Sequence, residues 1–167
     1  MIQKIYSSNL ALREQLISAV QPESLDKFIC VDLTPAAKAL HMNPYSVKPY
    51  TGLVANEYSN KTHKPCICYI RCTKTVKGSV RDFYGRSLIG LFSNFIDAGG
   101  HPPAFGFEDN PESFNTLRKY LPKISDKMPD IERDDLKIVV SPNSIEDKYK
   151  FKEAINLYSL FNELGTS

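Results

Sequence analysis

Between Ile2 and Val20 the apolar positions Ile5, Leu12, Leu16 and Val20, with Leu10 and Ile17 nearby, recur at helical spacing and predict an amphipathic N-terminal helix. Phe28 to Leu33 reads as a short strand. Thr34-Pro35 then offers a hydroxyl N-cap followed by proline at the first helical position, opening a short helix toward His41. The prolines of Asn43-Pro44-Tyr45-Ser46-Val47-Lys48-Pro49 predict a loop, after which Thr51 can cap a helix through Leu53, Val54 and Tyr58. Pro65 to Cys72 is a β-rich buried run, and a turn at Thr73 to Thr75 pairs it with a strand over Val76 to Asp82. Leu88, Leu91, Phe92, Phe95 and Ile96 predict a helix from Leu88 to Ala98 that stops at Gly99-Gly100. A strand from Ala104 to Glu108 follows, then a helix opened by Asn110-Pro111-Glu112 and running to about Leu121. The pattern closes with a strand over Leu136 to Val140 and a long C-terminal helix from Ser144 to Leu164. This order predicts an α/β (α+β) fold with a mixed sheet of about five strands flanked by helices. The 167 residues suit a single domain, with no internal repeat and no low-complexity segment.

Composition narrows the picture. No stretch approaches the ~20 apolar residues that span a membrane, and the N-terminus lacks the regions of a signal peptide. A cytoplasmic setting with no membrane partner is therefore expected. Cys66, Cys68 and Cys72 share one parity on a predicted strand, and with His63 they raise the possibility of a metal site. Same-face neighbours on a strand stand roughly 6.6–6.8 Å apart, which is awkward for one tetrahedral ion, so these thiols are expected to be small buried hydrophobes.

A net charge of +2 does not announce a nucleic-acid binder, but its distribution is uneven. Lys61, Lys64, Arg71, Lys74, Lys77, Arg81 and Arg86 face the single acid Asp82, whereas Asp126, Asp130, Glu132, Asp134 and Asp135 gather later. A basic middle suits a phosphate ligand and equally suits a solvated strand edge. The run Gly99-Gly100-His101-Pro102-Pro103-Ala104 sharpens the choice, because paired glycines bring bare N–H groups to an anion and histidine adds a donor. The same glycines can equally be a helix C-cap. Tyr45, Tyr50, Tyr58 and Tyr84 can stack on bases or sit half-buried as ordinary packing.

Four blocks in order carry a resemblance: Gly52-Leu53-Val54-Ala55-Asn56, Lys64-Pro65-Cys66-Ile67-Cys68, Lys77-Gly78-Ser79-Val80-Arg81, and Gly99-Gly100-His101 with Ala104 and Gly106. Together they resemble the DHH-associated domain, the smaller C-terminal domain of RecJ-like phosphoesterases and single-strand DNA exonucleases. The likeness covers a core of residues 52–109, with 1–51 and 110–167 as flanking elements. Pro102-Pro103 and Val80 depart from the family pattern. The resemblance implies a substrate clamp: Arg81 holding a phosphate, Gly99 and Gly100 offering N–H groups, and His101 donating to a phosphate oxygen. Arg86, beside the motif at a helix start, is a second candidate phosphate ligand. A shared site requires Arg81 and His101 to lie on one face.

No Asp-His-His run, Walker loop, nucleophile elbow or Rossmann fingerprint occurs, and the three histidines lie in separate segments. Asp134-Asp135 precedes a predicted strand whose alternation would turn the carboxylates apart. The chain alone is therefore expected to bind and not to cut. The resemblance places Mn or Mg in a separate DHH catalytic domain, in cis or in trans, and no cofactor in this chain. Its implied ligand is the phosphate of a single-stranded nucleic acid or oligonucleotide. Two other readings are a part of a phosphodiesterase for oligonucleotides or cyclic dinucleotides, and a protein-interaction domain using the C-terminal helix.

Overall fold

In the computed structural model, which describes residues 2–131, six strands form one mixed sheet. They are β1 (Glu23–Leu25), β2 (Phe28–Asp32), β3 (Cys66–Arg71), β4 (Val76–Arg81), β5 (Ala98–His101) and β6 (Ala104–Asp109), in the order β1-β2-β3-β4-β6-β5. Only β2 and β3 run parallel; the other pairs are antiparallel. The parallel pair needs a crossover, and helices α2 (Thr34–Ala39), α3 (Pro44–Val47) and α4 (Thr51–Thr62) supply it. Helix α1 (Ile2–Ala19) packs on α2 and α4. After β4 come the one-turn α5 (Ile89–Phe92) and, beyond β6, α6 (Pro111–Lys119) and α7 (Leu121–Lys127).

Strand alternation divides the core in two. Phe28, Cys30, Ile67, Val80, Phe105 and Phe107 point to one face, where Leu88, Phe92, Phe114, Leu117, Leu121 and Ile124 of the α5–α7 layer cover them. Ile29, Val31, Cys66, Cys68 and Ile70 point to the other face, beneath Leu16, Leu33, Ala36, Val47, Val54, Ala55 and Tyr58 of α1–α4. Two positions show how local chemistry sets the elements. Asn110 caps α6 by accepting from the Ser113 N–H at 2.8 Å. Gly78 lies where a Cβ would meet the Cys68 carbonyl oxygen and stand 2.6 Å from Phe107 Cζ, so strands β3 and β4 close around a missing side chain.

Several expected elements take a different form. Residues 43–49 are not a loop: Asn43 accepts from the Tyr45 N–H at 2.8 Å and caps α3, which continues through a 3₁₀ turn at Lys48–Tyr50 into α4. Thr34 lies inside α2 and not at its cap; its hydroxyl accepts from the Arg71 N–H at 2.9 Å, tying α2 to β3. The helix expected to reach Ala98 stops at Phe92, and Gly99-Gly100-His101 belong to edge strand β5 instead of a turn. Residues up to Pro129 form one compact unit. The strand expected at Leu136–Val140, the helix at Ser144–Leu164 and the pair Asp134-Asp135 lie outside the described residues.

Candidate anion-binding face

Register places the candidate side chains. Arg81 and His101 both pair with Ala104, one from each side, so the three residues form a row across β4, β6 and β5. Directly opposed residues in antiparallel strands share a face, which puts Arg81 and His101 together, two strand spacings or about 10 Å apart at the backbone. The next row is Ser79, Gly106 and Gly99. Beyond it, Lys77 opposes Glu108 and pairs with it at 2.7 Å, and its ammonium lies 5.5 Å from the centre of the exposed Tyr45 ring. These rows continue the face that α1–α4 cover over β2 and β3, but here the apolar side chains give way to serine, glycine, alanine and charge. The result is a polar face with a floor of minimal side chains, walled on one side by the first turn of α4.

Arg81 anchors this face. Its Nη1 donates to the Val80 carbonyl at 2.9 Å and the Phe105 carbonyl at 3.3 Å. Among the described residues no carboxylate pairs with it, and burial pushes its pKa below the ordinary arginine value. A Cβ on Gly52 would stand 2.6 Å from Arg81 Nη2 and 3.6 Å from Ser79 Oγ, so the glycine lets the start of α4 lie against the guanidinium. Thr51 and Ser79 join their hydroxyls at 2.7 Å; since Thr51 donates to the Lys48 carbonyl, Ser79 is the donor between them.

The other candidates separate. His101 is exposed on the same face as Arg81. Gly99 and Gly100 sit on an edge strand, where alternate N–H groups turn outward, so one of the two N–H groups faces the open edge and the other faces β6. Arg86 is already engaged: its Nε donates to Asp82 Oδ2 at 2.9 Å, Nη2 to Oδ1 at 3.0 Å and Nη1 to the Pro129 carbonyl at 3.2 Å. Asp82 also accepts the Arg86 N–H at 2.7 Å, so the pair is a clamp within its own loop. Ser79, Thr51 and Gly52 are contributors that residue type alone did not single out. The available signal was parity, since Ser79 stands two residues before Arg81 and so on its face.

Among the described residues no group of three or more His, Cys, Asp and Glu side chains could hold an ion. Cys66 and Cys68 are fully buried in the core, and burial pushes both thiols well above their ordinary pKa. His63 turns away from them to stack on Phe83. No helix of the described residues is long and apolar enough to cross a membrane.

No protein-family model and no curated protein matches the sequence. Solved structures do match in shape. One is the DHH domain of a member of the s1p family of ribosomal proteins, with TM-score 0.50 and 12% identity over 77% of this chain and 34% of that one. A pGpG-specific phosphodiesterase from Vibrio cholerae gives 0.48 and 16% over 73% of this chain and 41% of that one. An exopolyphosphatase-related protein from Bacteroides fragilis gives 0.48 and 20%, over 71% and 36%. The chain thus spans between about a third and two fifths of the length of each. At these identities the likeness is one of fold alone: the chain is folded like part of the first of these structures.

Proposed function

We propose that the face carrying Arg81 and His101 holds the phosphate of a single-stranded nucleic acid or oligonucleotide on behalf of a DHH-type phosphoesterase. The chain would act as the DHH-associated, substrate-gripping domain of a RecJ-like enzyme. The observation that carries this reading is Arg81 itself: a partly buried cation satisfied by two carbonyls and, among the described residues, by no carboxylate, in the same row as a second potential donor, His101, and beside the glycine row of Gly106 and Gly99. A phosphate oxygen there receives charge-assisted hydrogen bonds from the guanidinium, with His101 and an outward β5 N–H as further donors. Bond cleavage requires an activated water, and its metal ions and their ligands belong to a catalytic domain that the described residues do not include. In this reading the chain orients the phosphate and leaves the cutting to that domain.

The test is binding of a 5′-phosphorylated oligonucleotide to the full chain across a salt series. Affinity falls with salt. Arg81→Ala weakens it by about tenfold or more, the scale of a hydrogen bond to a charged group. Lys61→Ala changes little, because Lys61 is exposed and loosely paired with Glu57 at 3.8 Å. Equal losses from the two variants would replace the pocket with diffuse attraction.

A further inference from the structure

Two residues beyond Arg81 in sequence, and at the opposite end of α4 from its Gly52 contact, lies a pair of exposed rings that the anion site does not use. Helix α4 ends at His63, whose backbone is left-handed with φ +58°, a position that favours glycine or asparagine. Its imidazole lies nearly parallel to the Phe83 ring, with centroids 4.2 Å apart and planes 15° from parallel. Phe83 remains 39% exposed and so is not a core residue. Tyr84 meets Phe83 edge-on at 5.0 Å and His63 edge-on at 6.5 Å, and Arg86 lies 5.5 Å from the Tyr84 ring centre, so the loop bearing Phe83 is braced at the side of the stack. With Phe83 on one side of the imidazole and His63 exposed, the opposite face of the ring meets solvent.

Basic side chains predominate around the pair, although Lys61 is itself paired with Glu57 at 3.8 Å. Lys61 and Lys64 flank His63 in sequence, and Arg81 precedes Phe83 by two residues, about 7 Å along an extended chain. The one acid between Lys61 and Arg86 is Asp82, and Arg86 neutralises it. A rigid aromatic surface among cations is how single-stranded nucleic acid is held without reading its sequence, with bases on the rings and phosphates on the charges. A ligand made of phosphate alone has no use for the rings.

We propose that the His63–Phe83 pair is a stacking platform for a nucleobase of the ligand whose phosphate lies at Arg81, which makes that ligand a nucleotide chain and not an inorganic polyphosphate. This rests on Arg81 being the anion site. Because every base offers a π face, the platform selects for the presence of a base and not for its identity.

Two variants of the full chain test it, each with 5′-phosphorylated tri-adenylate and inorganic tripolyphosphate as probes. His63→Asn retains a residue that tolerates the left-handed backbone and removes the ring. It should weaken tri-adenylate by about tenfold, the scale of one base–aromatic stack, and leave tripolyphosphate unchanged. The chain contains no tryptophan, so Phe83→Trp places a single indole in the platform; tri-adenylate should quench its fluorescence and tripolyphosphate should not. Equal weakening of both probes by His63→Asn, or no weakening, overturns the platform, as does an indole that tri-adenylate leaves unquenched. The anion site fails separately, if Arg81→Ala leaves the affinity for both probes unchanged.

Discussion

Gly99 and Gly100 are adjacent and are glycines for different reasons. Gly100 has φ +132°, and a Cβ there would stand 3.1 Å from Phe105 Cα, so its backbone requires glycine. At Gly99 a Cβ would meet nothing within 4 Å and φ is not in the left-handed region. Packing makes no demand at Gly99; what the missing side chain does there is keep the floor between Ser79 and the β5 edge clear. Gly100→Ala should therefore lower stability by about 1–3 kcal/mol, the scale of a strained backbone conformation, as read by thermal unfolding. Gly99→Ala should leave the melting temperature unchanged or slightly raised, since alanine is favoured over glycine in a strand, while weakening oligonucleotide binding. A Gly99→Ala variant that binds normally would mean that the floor touches no ligand. The pairing of Gly-Gly with Arg81 was legible in the sequence as a set of types. Which glycine serves the fold and which the surface was not, because that depends on the register of β5 against β6.

At the scale of elements, the Asp82–Arg86 clamp fixes the β4–α5 loop and with it Phe83. The Asp82 side chain has 0% exposure and that of Arg86 12%, so removing one partner strands a buried charge. Asp82→Ala should cost about 3–5 kcal/mol, measured by urea unfolding, and the freed loop should lower tri-adenylate affinity more than tripolyphosphate affinity. A loss below about 1 kcal/mol would put the pair among ordinary surface bridges. The same loop shows where pattern reading succeeds and where it stops. Strands β2 and β3 were legible because their apolar residues are nearly continuous, β4 and β6 because Val76 and Val80, and Phe105 and Phe107, keep strand parity, and the Asn110 cap because asparagine before proline has a mechanism. Strand β5 (Ala-Gly-Gly-His) carries no strand signal of its own and is recruited by β6. Leu88, Phe92 and Ile96 are indeed buried on one side at helical spacing, yet the chain leaves the helix because the sheet captures Asp97. The Asp97 N–H donates to the Asp109 carboxylate at 2.9 Å and its carbonyl accepts from the Glu108 N–H at 3.1 Å. Arg86 misled for a related reason: a lone basic residue near a motif reads the same whether it faces a ligand or the acid four residues before it.

Across the described fold, two helical layers leave one part of the sheet open and cover its centre at β2 and β3 on both faces. The open part is the face over β4, β6 and β5 that carries Arg81 and His101; the closed part, over β2 and β3, holds Cys30, Cys66 and Cys68 at 2%, 0% and 0% exposure. Cys30 lies under the α5–α7 layer and the other two under α1–α4, so each layer rests on thiols that stay neutral at physiological pH. Burial pushes Cys30 from the ordinary value of 9.0 up to about 12, and drives Cys66 and Cys68 upward as well. The folded chain thus keeps these protons above pH 9.0 while the unfolded chain releases them, and stability must fall as pH rises. The contribution is intact below pH 9.0 and is lost progressively toward pH 12, by up to about 1.4 kcal/mol per pH unit for each thiol. Urea unfolding under reductant at stepped pH should show a decline steeper than one thiol can produce. Cys68→Ala should start from lower stability, because it leaves a small cavity, but should decline less steeply with pH. An unchanged slope in Cys68→Ala would assign the alkaline loss to other groups, with Tyr69, also raised by burial, the first to examine.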